Sequence, residues 1–147
     1  MPRVYLDACC LNRPFDDQTQ ARIRLEAEAV LIVVAQCESG QWEWVTSEAV
    51  DVEIAHTPDP ERRRRVRFLA AHAHHSVVVG DAEIQRAQHL ESWGIAAYDA
   101  LHIACAESAN ADVLLTTDDK LLRKCMAFGE RLRVRVRNPL EWLEEAN

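Results

Sequence analysis

Five short runs, RVYL (3–6), WEWV (42–45), SVVV (76–79), DVLLT (112–116) and LRVRV (132–136), are rich in valine, leucine and aromatic residues, and each is followed by a stretch with helical spacing. This alternation leaves few folds open. Strands separated by helices cannot pair as tight hairpins; they cross over, and the product is an α/β domain with a central parallel sheet flanked by helices on both faces. Between the runs, Thr19 to Glu38 carries Ile23, Ala27, Val30, Leu31 and Val34 at helical intervals, with Gly40 as its C-terminal cap. Ser47 caps EAVDVEIA, Asp59 and Pro60 open an arginine-rich helix, and Asp81 caps AEIQRAQHLESW. A further helix is expected from about Ala97 to Ala109, another over DKLLRKCMAF up to Gly129, and a last one over LEWLEEA after Asn138 and Pro139. DACCLNRPFDD, directly after the first run, reads as a loop. No repeat, linker or low-complexity segment divides the chain, so residues 1–147 are read as one domain.

The composition, 48% apolar and 28% charged, is that of a folded globular protein. Five cysteines form no C-x-x-C pair and are odd in number, which fits free thiols in a reducing cytoplasm. MPRVYLDACC is too short, and too soon interrupted by Asp7, to be a signal peptide, and no apolar run approaches the roughly 20 residues of a membrane span. The net charge of −7 argues against a surface that is basic all over. The arginines are nevertheless concentrated in ERRRRVRF (61–68) and ERLRVRVRN (130–138), so an acidic total conceals local basic tracks.

The acids matter more. In open parallel α/β sheets, ligands sit beyond the carboxyl ends of the strands, at the point where strand order reverses. Asp7 ends the first strand, and Asp118 follows the fourth through Thr116 and Thr117. On the helix after Ser47, the apolar arc set by Ala49, Val50 and Ile54 includes Glu53 and leaves Glu48 and Asp51 outside it, at about 100° per residue. Asp99 opens a helix whose Ala100, Leu101, Ile103, Ala104, Cys105 and Ala106 leave almost no polar face. Four carboxylates on four elements could thus converge at one edge of the sheet, where they repel one another unless a cation intervenes. Oxygen ligands without histidine or cysteine spacing select Mg²⁺ or Mn²⁺, and such ions activate water and stabilise charge on a phosphate undergoing displacement.

With VYLDACCLN, the Ser47-to-Glu53 spacing, YDALHIA, TTDD and the closing NPLEW in this order, the chain resembles the PIN-domain family, which includes VapC-like toxin ribonucleases. The resemblance covers essentially the whole chain. It implies a metal-dependent endoribonuclease with Asp7, Glu53, Asp99 and Asp118 around Mg²⁺ or Mn²⁺, Thr116 orienting the last aspartate, a small antitoxin partner and a homodimer. Family members often place asparagine or serine two residues after the first aspartate; here the residue is Cys9.

Other signals are read more plainly. His102, one turn after Asp99, is expected to be a core histidine with a satisfied ring, Asp119 a capping or surface residue, and His72 to His75 surface residues. Arg62 to Arg65 wind around a solvated helix. Period two puts Arg131, Arg133, Arg135 and Arg137 on one face of the last strand, where they either protect an edge or bind phosphates, and Arg13 lies in the loop after Asp7. The rival readings are an aspartate-nucleophile phosphatase, which needs an acid where Cys9 stands, and a non-catalytic PIN-like module that binds metal or nucleic acid without turnover.

Overall fold

The apolar runs do become strands. A computed structural model describes residues 1–146, in which β1 (Arg3–Leu6), β2 (Glu43–Ser47), β3 (His75–Val77), β4 (Val113–Leu115) and β5 (Arg135–Arg137) form one parallel sheet in the order β3-β2-β1-β4-β5. Val4, Tyr5 and Leu6 of β1 and all three residues of β4 are buried, although successive ones point to opposite faces, so both faces of the central sheet are covered. Among the described residues, eight α-helices provide the cover: α1 (Ala8–Asn12), α2 (Ala21–Glu38), α3 (Glu48–Ala55), α4 (Pro60–Ala70), α5 (Asp81–Ser92), α6 (Ala97–Ser108), α7 (Asp119–Phe128) and α8 (Pro139–Ala146). No helix among the described residues is long and apolar enough to cross a membrane.

The chain winds from β1 outward through β2 to β3, then returns to the other side of β1 for β4 and β5. The reversal opens a crevice between the ends of β1 and β4, where Asp7 and Thr116–Asp118 emerge. A backbone hydrogen bond from Asp7 N–H to the Leu115 carbonyl (3.2 Å) ties the two ends together.

Three local expectations are corrected. The stretch after Asp7 is not a loop but α1 followed by a 3-10 turn at Arg13–Phe15, because the Asp7 carboxylate accepts the Cys10 N–H (3.0 Å) and caps a helical turn. The cap of α5 is Gly80, whose N–H is held by the Glu83 side chain (2.8 Å), and Asp81 is the first helical residue. On α2 the inward face is Glu26, Val30, Val33, Val34 and Cys37, while Leu31 is exposed. Glu26 is fully buried and accepts from Arg13 (2.9 Å), Arg22 (3.3 Å) and Asn138 (2.7 Å), which fixes α2 against the segment that opens α8. The expected caps at Ser47 and Asp59 are present, and all five cysteines are free.

Candidate active site

Each sequence-expected acid is delivered by a separate element. Asp7 leaves β1 and is buried, with its oxygens 3.0 and 3.1 Å from the donating Cys9 thiol. Burial, and next the Cys9 sulfur, push its pKa well above the ordinary range, while His102 and Thr116 pull the other way. Asp118 ends the stretch after β4, caps α7 by accepting from Lys120 (3.0 Å) and Leu121 (3.3 Å), and is exposed. Thr116 Oγ1 accepts the Asp118 N–H (3.2 Å) and lies 3.3 Å from Cys9 Sγ, so one hydroxyl links the two strand ends.

Asp99 lies in the first turn of α6, which begins two residues before it, and is half-buried. Its pKa is pushed up to about 6, first by burial, then by the carboxylates of Asp7 and Asp118, with Glu53 contributing after the opposing effect of His102. The other three acids, each carried by a separate element, therefore all act on Asp99. Glu53, two turns into α3, keeps 30% of its side chain exposed and meets the ring of His102.

His102 is buried and satisfied at both nitrogens, Nε2 by Glu53 and Nδ1 by the Tyr5 hydroxyl (2.8 Å), which also contacts Ser47 Oγ (2.7 Å). A core histidine was the expectation, but its link to Glu53 was not; the only sequence signal is its position three residues after Asp99. Asp119 pairs bidentately with Arg22 (2.7 and 2.5 Å), at the surface as expected.

The arginines are placed less uniformly. Arg13 donates to Glu26 (2.9 Å) and Asp16 (3.1 Å), and Arg135 pairs with Glu145 (2.7 Å). Arg133 projects to solvent without a carboxylate partner among the described residues; only its backbone N–H is engaged, by Glu107 (2.8 Å). The last strand is shorter than LRVRV: β5 is an edge strand of only Arg135–Arg137 with Val136 buried, and in the segment leading into it Leu132 and Val134 are buried while Arg131 and Arg133 face solvent.

Among the described residues, no three His, Cys, Asp or Glu side chains are gathered tightly enough to grip one ion in this arrangement. The hydrogen bonds explain the spacing: Asp7 is turned to Cys9 and Cys10, Glu53 to His102, and Asp118 to the start of α7. The donor chemistry still fits a hard divalent cation. Both ring nitrogens of His102 and the thiol of Cys9 are engaged within the protein, so oxygen donors remain, and the raised Asp99 marks a surplus of negative charge.

No curated protein matches the chain. Among the solved structures that share its fold are VapBC2 from Rickettsia felis, bound to a DNA fragment from its promoter (TM-score 0.62, 13% identity, 92% of this chain and 98% of that one), and VapBC-1 from nontypeable Haemophilus influenzae (TM-score 0.58, 16% identity, 93% and 98%). The family model for the PIN domain matches residues 4–125, from the first residues of β1 into α7 and across all four acids. Members of that family are typically nucleases, and this chain belongs to it.

Proposed function

We propose that the chain is a Mg²⁺- or Mn²⁺-dependent endoribonuclease that hydrolyses RNA phosphodiester bonds and acts as the toxin of a toxin–antitoxin pair in the cytoplasm. The observation that supports this reading is Asp99 in the first turn of α6, half-buried, with its pKa pushed up to about 6 first by burial and then by the carboxylates of Asp7 and Asp118, which leave the ends of β1 and β4. Acids forced together there are a standing cost to the fold, and a bound cation turns that cost into affinity.

Asp7, Asp99 and Asp118, with Glu53, would hold the ion. When bound, it would activate water and stabilise the charge that develops on the phosphate. Asp7 is fixed by Cys9 and by the start of α1, and Thr116 fixes the Asp118 backbone, so the chain positions two oxygen donors at the ends of adjacent strands. Arg133 has a guanidinium without a carboxylate partner among the described residues, but it precedes β5 and so lies toward the sheet edge opposite the acids, where an extended RNA would reach it; Arg13 and Arg135 would first have to release their carboxylates. The structural neighbours are VapBC complexes, which supports an antitoxin partner; the homodimer rests on the family resemblance.

The test is cleavage of labelled single-stranded RNA by the purified protein with Mn²⁺, Mg²⁺ or chelator, beside Asp99→Asn. Metal-dependent cutting that the variant loses supports the reading. Folded protein that binds Mn²⁺ but cuts no RNA would favour the non-catalytic module.

A further inference from the structure

The four acids are not equally free. Asp99 and Asp118 border solvent, whereas Glu53 is gripped from inside by a buried chain of side chains. That chain runs from Ser47 Oγ to the Tyr5 hydroxyl (2.7 Å), from Tyr5 to His102 Nδ1 (2.8 Å), and from His102 Nε2 to Glu53 Oε1. Ser47 also caps α3 by accepting the Val50 N–H (3.3 Å), so both ends of the helix that carries Glu53 are tied to one imidazole.

A carboxylate only accepts, so Nε2 carries the proton shared with Glu53, while Nδ1 is held by the Tyr5 hydroxyl. Burial holds the Tyr5 phenol protonated, so it bonds both Nδ1 and the Ser47 hydroxyl, and the Ser47 oxygen also receives the Val50 N–H.

We propose that His102 is a positioning residue: its ring, buried and held at Nδ1 by Tyr5, aims Nε2–H at Glu53 Oε1 and leaves Oε2 as the oxygen offered to a divalent cation. This rests on the reading of Glu53 as a metal ligand. His102 touches neither the ion nor the substrate; it fixes which face of a surface-reaching carboxylate turns toward the other acids. Partners that orient a ligand in this way commonly matter to metal affinity nearly as much as the ligand itself.

The experiment is Mn²⁺ titration by calorimetry on the full chain, for wild type, His102→Leu, His102→Gln, Tyr5→Phe, Glu53→Gln and His102→Leu with Glu53→Gln, each checked for folding by circular dichroism. The expected result is a loss of Mn²⁺ affinity on the order of 10–100-fold in His102→Leu. Recovery is expected in His102→Gln, whose amide N–H replaces the Nε2 donor, and a smaller loss in Tyr5→Phe. In the Glu53→Gln background, His102→Leu should add nothing further, because its effect passes through Glu53. Equal losses in both backgrounds, or His102→Leu and His102→Gln both binding as wild type does, would overturn the proposal while leaving the metal site standing. Wild type that binds no Mn²⁺ would overturn the metal reading, and this proposal with it. Should His102→Leu fail to fold, Tyr5→Phe and His102→Gln carry the test: affinity unchanged in the first and lost in the second would refute the positioning of Glu53 through the His102 Nε2–H.

Discussion

Replacing Asp99 with asparagine should stabilise the metal-free protein. The Asp99 carboxyl titrates at about 6 in the fold against an ordinary 3.8. Between these values the folded protein keeps a proton that the unfolded chain has released, so stability falls as pH rises through the window and levels off above about pH 7. At about 1.36 kcal/mol per unit the rise corresponds to about 3 kcal/mol, which solvent access to a half-buried carboxyl reduces to about 2. Asparagine keeps the shape and never ionises. In metal-free buffer at pH 8 the Asp99→Asn variant should therefore be more stable by about 2 kcal/mol, or about 4–8 °C in Tm for a chain of this size. At pH 4.5, where the wild-type carboxyl is protonated in the fold, the gap should shrink below about 1 kcal/mol. Urea denaturation followed by tryptophan fluorescence measures both. Adding Mn²⁺ at pH 8 should stabilise wild type and reverse the order. A variant no more stable than wild type at pH 8, or a gap that does not change with pH, would refute the claim that Asp99 is held at a cost.

Three further outcomes follow from the same structure. Glu26→Gln should destabilise the fold by about 2–4 kcal/mol in urea denaturation, because it weakens the buried grip on Arg13 and Arg22; a change below about 0.5 kcal/mol would show that the network is dispensable. Cys9 is the part-exposed thiol and the other four are buried, so a maleimide should label one cysteine per folded chain, at Cys9, and abolish RNA cleavage by crowding Asp7. Labelling of two or more sites in the native state would contradict that burial. Arg133→Ala should raise KM for RNA and reduce its salt dependence, whereas Arg135→Ala, whose guanidinium is already paired with Glu145, should do less; equal effects would place both on the RNA track.

The sheet was legible because short apolar runs separated by helical periods admit little else, and β1 matched its expected bounds, Arg3 to Leu6. Strand order was not legible, since nothing in a run of valines states which neighbour it pairs with. α1 escaped notice because five residues are too few to show a period, and cysteine, asparagine and proline suggest a loop; the Asp7 cap decides the matter. Glu26 could have been found. It occupies the same helical stripe as Val30, Val33, Val34 and Cys37, and the argument that turned Glu53 inward applies to it equally. At the site, the positions of Asp7 and Asp118 came from the strand-end rule and that of Glu53 from its apolar arc. The Ser47–Tyr5–His102 chain was hidden because it joins three elements that are remote in sequence.

The measurement that bears most directly on the account is anomalous diffraction from crystals soaked in Mn²⁺. The expected result is one strong peak in the crevice between the ends of β1 and β4, with carboxylate oxygens of Asp7, Asp99 and Asp118 at about 2 Å and Glu53 turned toward it, and no such peak in Asp99→Asn crystals. A crevice without a peak, its carboxylates still bonded to Cys9, His102 and the start of α7, would contradict the claim that these acids are gathered to hold a cation.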